Sequence, residues 1–317
     1  MKRVIAAIIG LFGLHLYVLV TTLQAGFRQE TIKVDTTLVT LTATVKDEKG
    51  RHVPGLKKED FSVFEDNVPQ ELSFFSDERV PMSIGILFDT SGSMADKLDG
   101  VEDAVNHFID IVKPGDEIFL IRFSSHVDLV SDFTDQPRQL QRAVRRFEAV
   151  GSTALYDALE EGLQKITEGK NKKKAILLIT DGNDTSSRAS EREVREMARR
   201  SEVLIYCIGI GHGERGSFGH DRDLPGDKVD IRVLRSFSDS SGGRSALIEG
   251  AHHSGGIDRI DEAIVGVANE LTQQYSLGYY PTNTRLDGAY RRINVKLARR
   301  GMTVQTRSGY WAEERNR

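Results

Sequence analysis

The sequence predicts an α/β protein with a doubly wound, mostly parallel sheet and a small all-β domain formed from its N- and C-terminal segments. Two observations lead to this fold class. In the middle of the chain, continuous apolar runs such as 175–179 and 203–210 alternate with segments whose apolar residues recur at helical spacing. That pattern is typical of buried parallel strands covered by helices on both faces. The two ends of the chain instead alternate residue by residue, which is typical of strands with one buried face.

The terminal segments predict strands that need a partner. Apolar residues alternate with threonines over 39–45, and short strands follow at 61–64 and 72–75, separated by turns at 49–50 and 66–67. Near the other end, alternation recurs over 293–297 and 302–306 around a turn at 299–301. Each segment exposes an apolar face and is too short to build a core alone. We therefore predict that residues 31–80 and 276–311 pair in a β-sandwich-like domain, with residues 81–275 inserted between them.

The central elements follow in order along the chain. Predicted strands lie at 83–89, 117–123, 127–133, 175–179, 203–210 and 244–248. Predicted helices carry their apolar residues within 98–112, 140–147, 155–166, 194–201 and 260–271. Strands that alternate with amphipathic helices build an open sheet whose ligand sites lie beyond the carboxyl ends of the strands.

The N-terminus predicts export. Lys2 and Arg3 precede an apolar stretch over 4–23, and Ala25 would end a signal peptide of residues 1–25. The apolar stretch is close to the ~20 residues that span a bilayer, so an uncleaved anchor is the alternative. Both place the body of the protein outside the cytoplasm, in the periplasm or extracellular space or on the outer face of the inner membrane. The single cysteine, Cys207, excludes an intramolecular disulfide and is predicted to be a buried core residue.

Charge gives no reason to expect a nucleic-acid partner. The formal net charge is −4, and the run 170–174 is nearly all basic. That run lies between a predicted helix and a predicted strand, so we interpret it as a solvated loop.

Oxygen-bearing side chains follow the first predicted strand of the central region. Asp89, Ser91 and Ser93 occupy alternate positions where the apolar run 83–88 ends. The carboxyl end of a parallel strand is where such sheets bind ligands. Carboxylate and hydroxyl oxygens without Cys or His suit a hard divalent cation such as Mg²⁺.

Three segments carry a family resemblance. Asp89-Thr90-Ser91-Gly92-Ser93 resembles the Asp-x-Ser-x-Ser signature of von Willebrand factor type A domains, which carry a metal-ion-dependent adhesion site (MIDAS). Gly151-Ser152-Thr153 and Thr180-Asp181-Gly182 resemble, in the right order, the loops with the metal-coordinating threonine and the second aspartate of that family. The resemblance implies a Rossmann-like sheet and a bacterial exported protein.

The resemblance also implies a ligand set. Ser91, Ser93 and Thr153 would coordinate the ion through hydroxyls, and Asp89 and Asp181 directly or through water. The ion would be Mg²⁺, or Mn²⁺ or Ca²⁺, with an open position for an Asp or Glu carboxylate of a partner protein. The structural alternative is that Asp89 and Ser91 only cap the following helix through backbone N–H groups.

We therefore expect a non-enzymatic, exported module that binds a protein partner through a metal ion. The alternative is an envelope scaffold or assembly component whose ion serves folding only. A metal-assisted hydrolase is less well supported, because no acid–base pair is evident near the motif. Contact with a membrane is expected only through an uncleaved N-terminal anchor.

Other motifs in the sequence favour loops. Residues 211–216 match a dinucleotide-binding fingerprint, but Pro225 and further glycines follow where that fingerprint needs a helix. Four histidines near this loop lack the spacing of a known metal site: His212, His220, His252 and His253. Asn183 and Asp184 either adjust the metal loop or are solvated turn residues.

Overall fold

The computed structural model of the chain describes residues 38–145, 147–181, 183–211, 229–249 and 256–313. These described residues belong to one compact unit. The predicted signal peptide or anchor, residues 1–25, lies outside the described residues, as do the four histidines and all of the fingerprint except Gly211. In the part of the chain that is described, none of the helices combines the length and apolar character needed to cross a membrane.

Strands and helices alternate through the central part of the described chain and give way to strands at both ends. In chain order the elements are β1 (Val39–Asp47), β2 (Phe61–Glu65), β3 (Val68–Gln70), β4 (Leu72–Ser76), β5 (Met82–Asp89), α1 (Leu98–Ile111), β6 (Glu117–Phe123), β7 (Val127–Thr134), α2 (Pro137–Val144), α3 (Leu155–Lys165), β8 (Lys173–Thr180), α4 (Glu191–Arg200), β9 (Leu204–Ile210), α5 (Ile231–Ser241), β10 (Ser245–Ile248), α6 (Gly256–Thr272), β11 (Tyr275–Tyr279), β12 (Tyr290–Leu297), β13 (Met302–Gln305) and β14 (Gly309–Trp311).

The larger sheet has six strands in the order β10-β9-β8-β5-β6-β7, parallel except for the antiparallel edge strand β7. All eight residues of β5 are buried, because helices cover both faces of the sheet. Ile86 belongs to the core under α1 and α6, whereas its neighbour Leu87 belongs to the core under α3 and α4. This alternation is what a central strand requires, and it confirms the doubly wound class.

The terminal segments form two antiparallel sheets, β13-β1-β11-β4 and β14-β12-β2-β3. Strand β1 pairs with β11, and β2 pairs with β12, so strands from the two ends of the chain are neighbours in each sheet. Leu41, Val63 and Leu277 contribute to one shared apolar core. The small all-β part of the predicted fold class is therefore confirmed.

Two local features differ from the sequence interpretation. Helix α5 was not predicted, because serines and arginines interrupt its apolar face; Leu234 and Phe237 nevertheless pack into the core, and the helix ends at the left-handed Gly242. The basic run 170–174 is only in part a solvated loop. Lys173 and Lys174 belong to β8 and are half-buried, and Lys174 donates to the carbonyls of Ile166 and Gly169.

Candidate metal centre

Adjacent parallel strands bring two of the sequence motifs together. Strands β5 and β8 are neighbours, with Phe88 paired to Ile179, so Asp89 and Thr180 come next on either side. Asp181 follows directly after β8. Because both strands run in the same direction, both motifs emerge at the carboxyl edge of the sheet, where this class of fold binds ligands.

Asp89 is fully buried and holds the first loop in place. Its Oδ1 accepts a hydrogen bond from the Ser91 backbone N–H (2.8 Å), and its Oδ2 accepts one from the Thr180 hydroxyl (2.6 Å). Burial raises the pKa of the Asp89 carboxyl to about 6, and the nearby charge of Asp181 adds to this rise. The ionised form therefore gains from any cation that comes close to it.

Ser91 and Ser93 link the first motif to the third. Their hydroxyl oxygens lie 3.2 Å apart, and the Ser93 hydroxyl donates to Asp181 Oδ1 (2.9 Å). Ser91 is buried, whereas Ser93 is exposed, so the site opens to solvent at Ser93. The Ser91 side chain makes no capping hydrogen bond to the short turn that follows it. The Ser91 hydroxyl is thus directed to the cluster rather than to the backbone of a helix.

The loop that carries Thr153 is tied to the other two through backbone hydrogen bonds. Gly92 N donates to Gly151 O (3.0 Å), and the Thr153 N–H donates to the Thr185 hydroxyl (2.9 Å) just beyond Asp181. Gly151 has φ +88°, and a Cβ there would lie 2.5 Å from the Ser125 hydroxyl oxygen, so the loop requires glycine. Thr153 is buried within this loop.

The structure thus joins the three motifs at one edge. Side-chain hydrogen bonds connect Ser91, Ser93 and Asp181. Asp89 is held by the Ser91 backbone N–H and the Thr180 hydroxyl, and Thr153 is connected through its loop backbone.

Sequence reasoning missed one charged member of this cluster, Lys97. Its Nζ donates to Asp181 Oδ2 (2.6 Å) and to the backbone oxygen of Ser93 (3.2 Å). The side chain of Lys97 is 1% exposed and that of Asp181 is 0% exposed. Lys97 directly precedes α1, and in the sequence nothing distinguishes it from a solvated lysine at the start of an amphipathic helix.

The donor set of the cluster fits a hard divalent cation. It comprises three hydroxyls and two carboxylates, with no sulfur or imidazole nitrogen among them. It has two carboxylates, and within the described ranges no group of three or more His, Cys, Asp or Glu side chains is arranged to hold a metal ion. An ion held here would depend largely on hydroxyl and water oxygens.

Other sequence candidates have structural roles. The Asn183 side-chain oxygen accepts from the Asp230 N–H (2.8 Å), and Asp184 accepts from the Tyr156 N–H (3.3 Å) at the start of α3. Both residues therefore hold the loop after Asp181. Cys207 is fully buried in β9, and burial raises the pKa of its thiol.

Comparison with known proteins places this edge within a family. The family model for the von Willebrand factor type A domain matches residues 83–246, just over half of the 317 residues and the whole of the three-loop cluster.

Individual proteins match this chain with low sequence identity or over part of their length. An uncharacterized protein of Synechocystis sp. is 28% identical over 141 residues, which cover 43% of this chain and 33% of the relative, so the chain spans about a third of that protein's length. Proximal thread matrix protein 1 from the mussel byssus is 16% identical, with a TM-score of 0.50 over 65% of this chain and 50% of that one. It shows the same fold, and a second structure of it has zinc in its MIDAS motif. BatB from Bacteroides thetaiotaomicron is 17% identical with a TM-score of 0.45, covering 59% of this chain and 99% of its own.

Proposed function

The chain belongs to the von Willebrand factor type A domain family, and from this premise we propose that it is an exported module that binds a partner protein through a divalent metal ion. Ser91, Ser93 and Thr153 would hold the ion through their hydroxyls, with Asp89 and Asp181 binding directly or through water. Mg²⁺ is the proposed ion, with Mn²⁺ or Ca²⁺ as substitutes that the same oxygen donors accept.

The observation that carries this proposal is the continuous hydrogen-bond network between the first and third motifs. Asp89 is joined to Thr180, and Ser93 to Asp181, although 91 and 88 residues separate them in the sequence. A network that brings two distant carboxylates to the ligand-binding edge of the sheet, beside three hydroxyls, is what a cation site needs. Lys97 compensates only one of the two buried carboxylates, so the charge of the other still favours a bound cation.

When bound, the ion supplies an electrophilic centre that accepts a carboxylate oxygen from an Asp or Glu of the partner. The protein's own residues would control access to it. The two aspartates are buried beneath the loops, whereas Ser93 is exposed at the rim. Val150, which precedes the Thr153 loop, is 64% exposed and would offer apolar contact to the backbone around the partner's carboxylate.

The alternative, an ion that serves folding only, is less well supported by the geometry. Lys97 already places a positive charge against Asp181 without any metal. A fold with its own counter-charge does not need the ion to neutralise that carboxylate, so binding is the better explanation of the open edge.

Export is part of the proposal and rests on the sequence alone. Lys2 and Arg3 followed by the apolar residues 4–23 would direct the chain across a membrane. The site would then face the periplasm or extracellular space, where divalent cations are available. Only an uncleaved N-terminal segment would keep the protein attached to the membrane.

A capture experiment tests the function. The full chain, immobilised, is exposed to envelope extract with Mg²⁺ or with EDTA, and the retained protein is identified. We expect a partner that is released by EDTA, lost with Thr153→Ala and retained with Thr153→Ser, because serine keeps the hydroxyl. Retention that is equal in EDTA, or equal with Thr153→Ala, would refute metal-mediated capture. If Thr153→Ala loses its circular dichroism signal, the ion has the structural role of the alternative.

A further inference from the structure

We propose that Lys97 is an internal competitor of the metal ion: its ammonium compensates the buried carboxylates when no metal is bound, and it lowers the affinity of the site for a divalent cation. This inference rests on the proposed metal-binding function and specifies how that site is regulated. It assigns a role to a residue that the three sequence motifs do not contain.

The position of Lys97 makes it part of the site rather than a neighbour of it. Its Nζ lies 2.6 Å from Asp181 Oδ2 and 3.2 Å from the Ser93 backbone oxygen, so it touches the first and third motifs at once. The other Asp181 oxygen, Oδ1, accepts from the Ser93 hydroxyl. Both oxygens of Asp181 are therefore engaged by residues of this chain in the structure.

Burial strengthens the electrostatic interaction between Lys97 and Asp181. The side chain of Lys97 is 1% exposed, so solvent does little to screen its charge. A buried lysine is stable only when an anion compensates for its desolvation, and Asp181 is an anion within hydrogen-bond distance of Lys97. The same reasoning applies in reverse, because Asp181 needs a cation, and Lys97 provides one.

A divalent cation and Lys97 therefore compete for the same negative charge. Asp89 and Asp181 carry two negative charges, and Lys97 balances one of them. An ion that binds to these carboxylates comes close to the ammonium, and like charges brought together in a poorly screened site oppose each other. Metal binding then requires that Lys97 loosen its contact with Asp181 or tolerate the added charge.

Two consequences follow for the protein in solution. Without metal, Lys97 compensates the charge of Asp181, so this carboxylate is not left buried without a counter-charge. With metal, the repulsion between the ammonium and the ion lowers the affinity of the site below the value it would have without the charge of Lys97.

The test is a calorimetric titration of Mn²⁺ into the full chain and its Lys97 variants, together with melting curves in EDTA. Lys97→Gln removes the charge but retains donors for Asp181 and Ser93, whereas Lys97→Met removes both. Lys97→Arg keeps the charge. Lys46→Met is the matched control, because Lys46 pairs with the buried Glu270 away from the site.

We expect Lys97→Gln to bind Mn²⁺ tighter by about tenfold or more, since relief of a like-charge contact is the dominant change. We also expect its melting temperature to fall in EDTA and to recover with Mn²⁺, whereas Lys97→Arg and Lys46→Met keep wild-type affinity. If Lys97→Met does not fold without metal, the titration of Lys97→Gln decides.

The outcomes separate the two claims. If the wild type binds Mn²⁺ and folded Lys97→Gln binds with equal or lower affinity, the competitor role is wrong and the metal site stands. If neither the wild type nor Lys97→Gln nor Lys97→Met binds Mn²⁺, the proposed function fails and this inference fails with it. Binding that appears only after Lys97→Gln supports competition in its strongest form.

Discussion

In two clusters of this protein a lysine contacts a buried carboxylate, but the charges around the two pairs differ. Glu270, on α6 and 3% exposed in its side chain, accepts from Lys46 (2.5 Å) and Arg244 (2.9 Å) through Oε2. Its other oxygen accepts from the Tyr206 hydroxyl (3.1 Å). At the carboxyl edge of the large sheet, Asp181 instead shares its surroundings with a second carboxylate, Asp89, and contacts Lys97.

The difference between them separates a structural ion-pair cluster from the proposed metal site. At Glu270, two cations face one carboxylate, and Lys46 comes from β1 of the all-β part, so the cluster fastens that part to α6. At the edge of the sheet, two carboxylates face Lys97, and the cluster reaches solvent through Ser93. Excess negative charge beside an opening favours a bound cation, whereas a carboxylate that two cations of the chain already compensate favours rigidity.

The largest expected effect on stability comes from a substitution of Asp181 in the cluster at the edge of the sheet. Asp181→Ala leaves the ammonium of Lys97 buried without its carboxylate partner, and removing one member of a buried ion pair costs about 3–5 kcal/mol. Urea unfolding in EDTA measures the free energy of unfolding. The double variant Asp181→Ala with Lys97→Met should recover much of the loss, since it removes both charges. A double variant as unstable as the single one would contradict this account of the pair.

The next largest expected loss of stability comes from a substitution in the Glu270 cluster. Glu270→Gln removes the charge that Lys46 and Arg244 share, and we expect a loss of about 2 kcal/mol, typical of a hydrogen bond to a charged group. The loss should be the same in Mg²⁺ and in EDTA, because Glu270 is no part of the metal site. A Mg²⁺-dependent loss would show that the two clusters are coupled and that the comparison is wrong.

Unlike the two preceding substitutions, Asp89→Asn should not destabilise the metal-free protein. Burial disfavours the charge of Asp89, which is why its pKa is raised, so a neutral side chain relieves the metal-free protein. We expect equal or higher stability than wild type in EDTA, and no rise in melting temperature when Mg²⁺ is added. Thermal melts in both conditions measure this. Lower stability in EDTA would mean that the Asp89 charge contributes more to folding than its burial indicates.

The smallest expected effect on stability is that of Thr153→Ala. Its loop is held by backbone hydrogen bonds from Gly92 and Thr185, which the substitution leaves in place. We expect the free energy of unfolding in EDTA to change by about 1 kcal/mol or less, the scale of one hydrogen bond. The metal-induced rise in melting temperature should nevertheless shrink. If the variant keeps the full rise, Thr153 is not a ligand.

What the sequence predicted was local, and what it missed depends on contacts across the fold. The strand 83–89 and the oxygen donors after it are adjacent in sequence, so periodicity and motif located β5 and the first loop. The paired terminal segments were likewise predicted, because each shows an unpartnered apolar face. Helix α5 was missed, since its apolar face is interrupted by polar residues and only packing against β9 makes it evident.

The charged contacts were the least predictable part. Lys97 looks like any lysine at the start of an amphipathic helix, and its role depends on Asp181, which is 84 residues away in sequence. Glu270 likewise meets Lys46 across 224 residues. Burial of a charge is a property of the assembled fold, so the two kinds of cluster compared above could be told apart only in the structure.

The central claim is that the carboxyl edge of the sheet binds one hard cation, and calorimetric titration of Mg²⁺ into the purified protein tests it most directly. The account predicts saturable heat for a single site in the wild type and no such heat in Asp89→Asn, whose fold is verified by circular dichroism. Absence of saturable binding to the wild type at millimolar Mg²⁺ and Mn²⁺, or equal binding to Asp89→Asn, would contradict it.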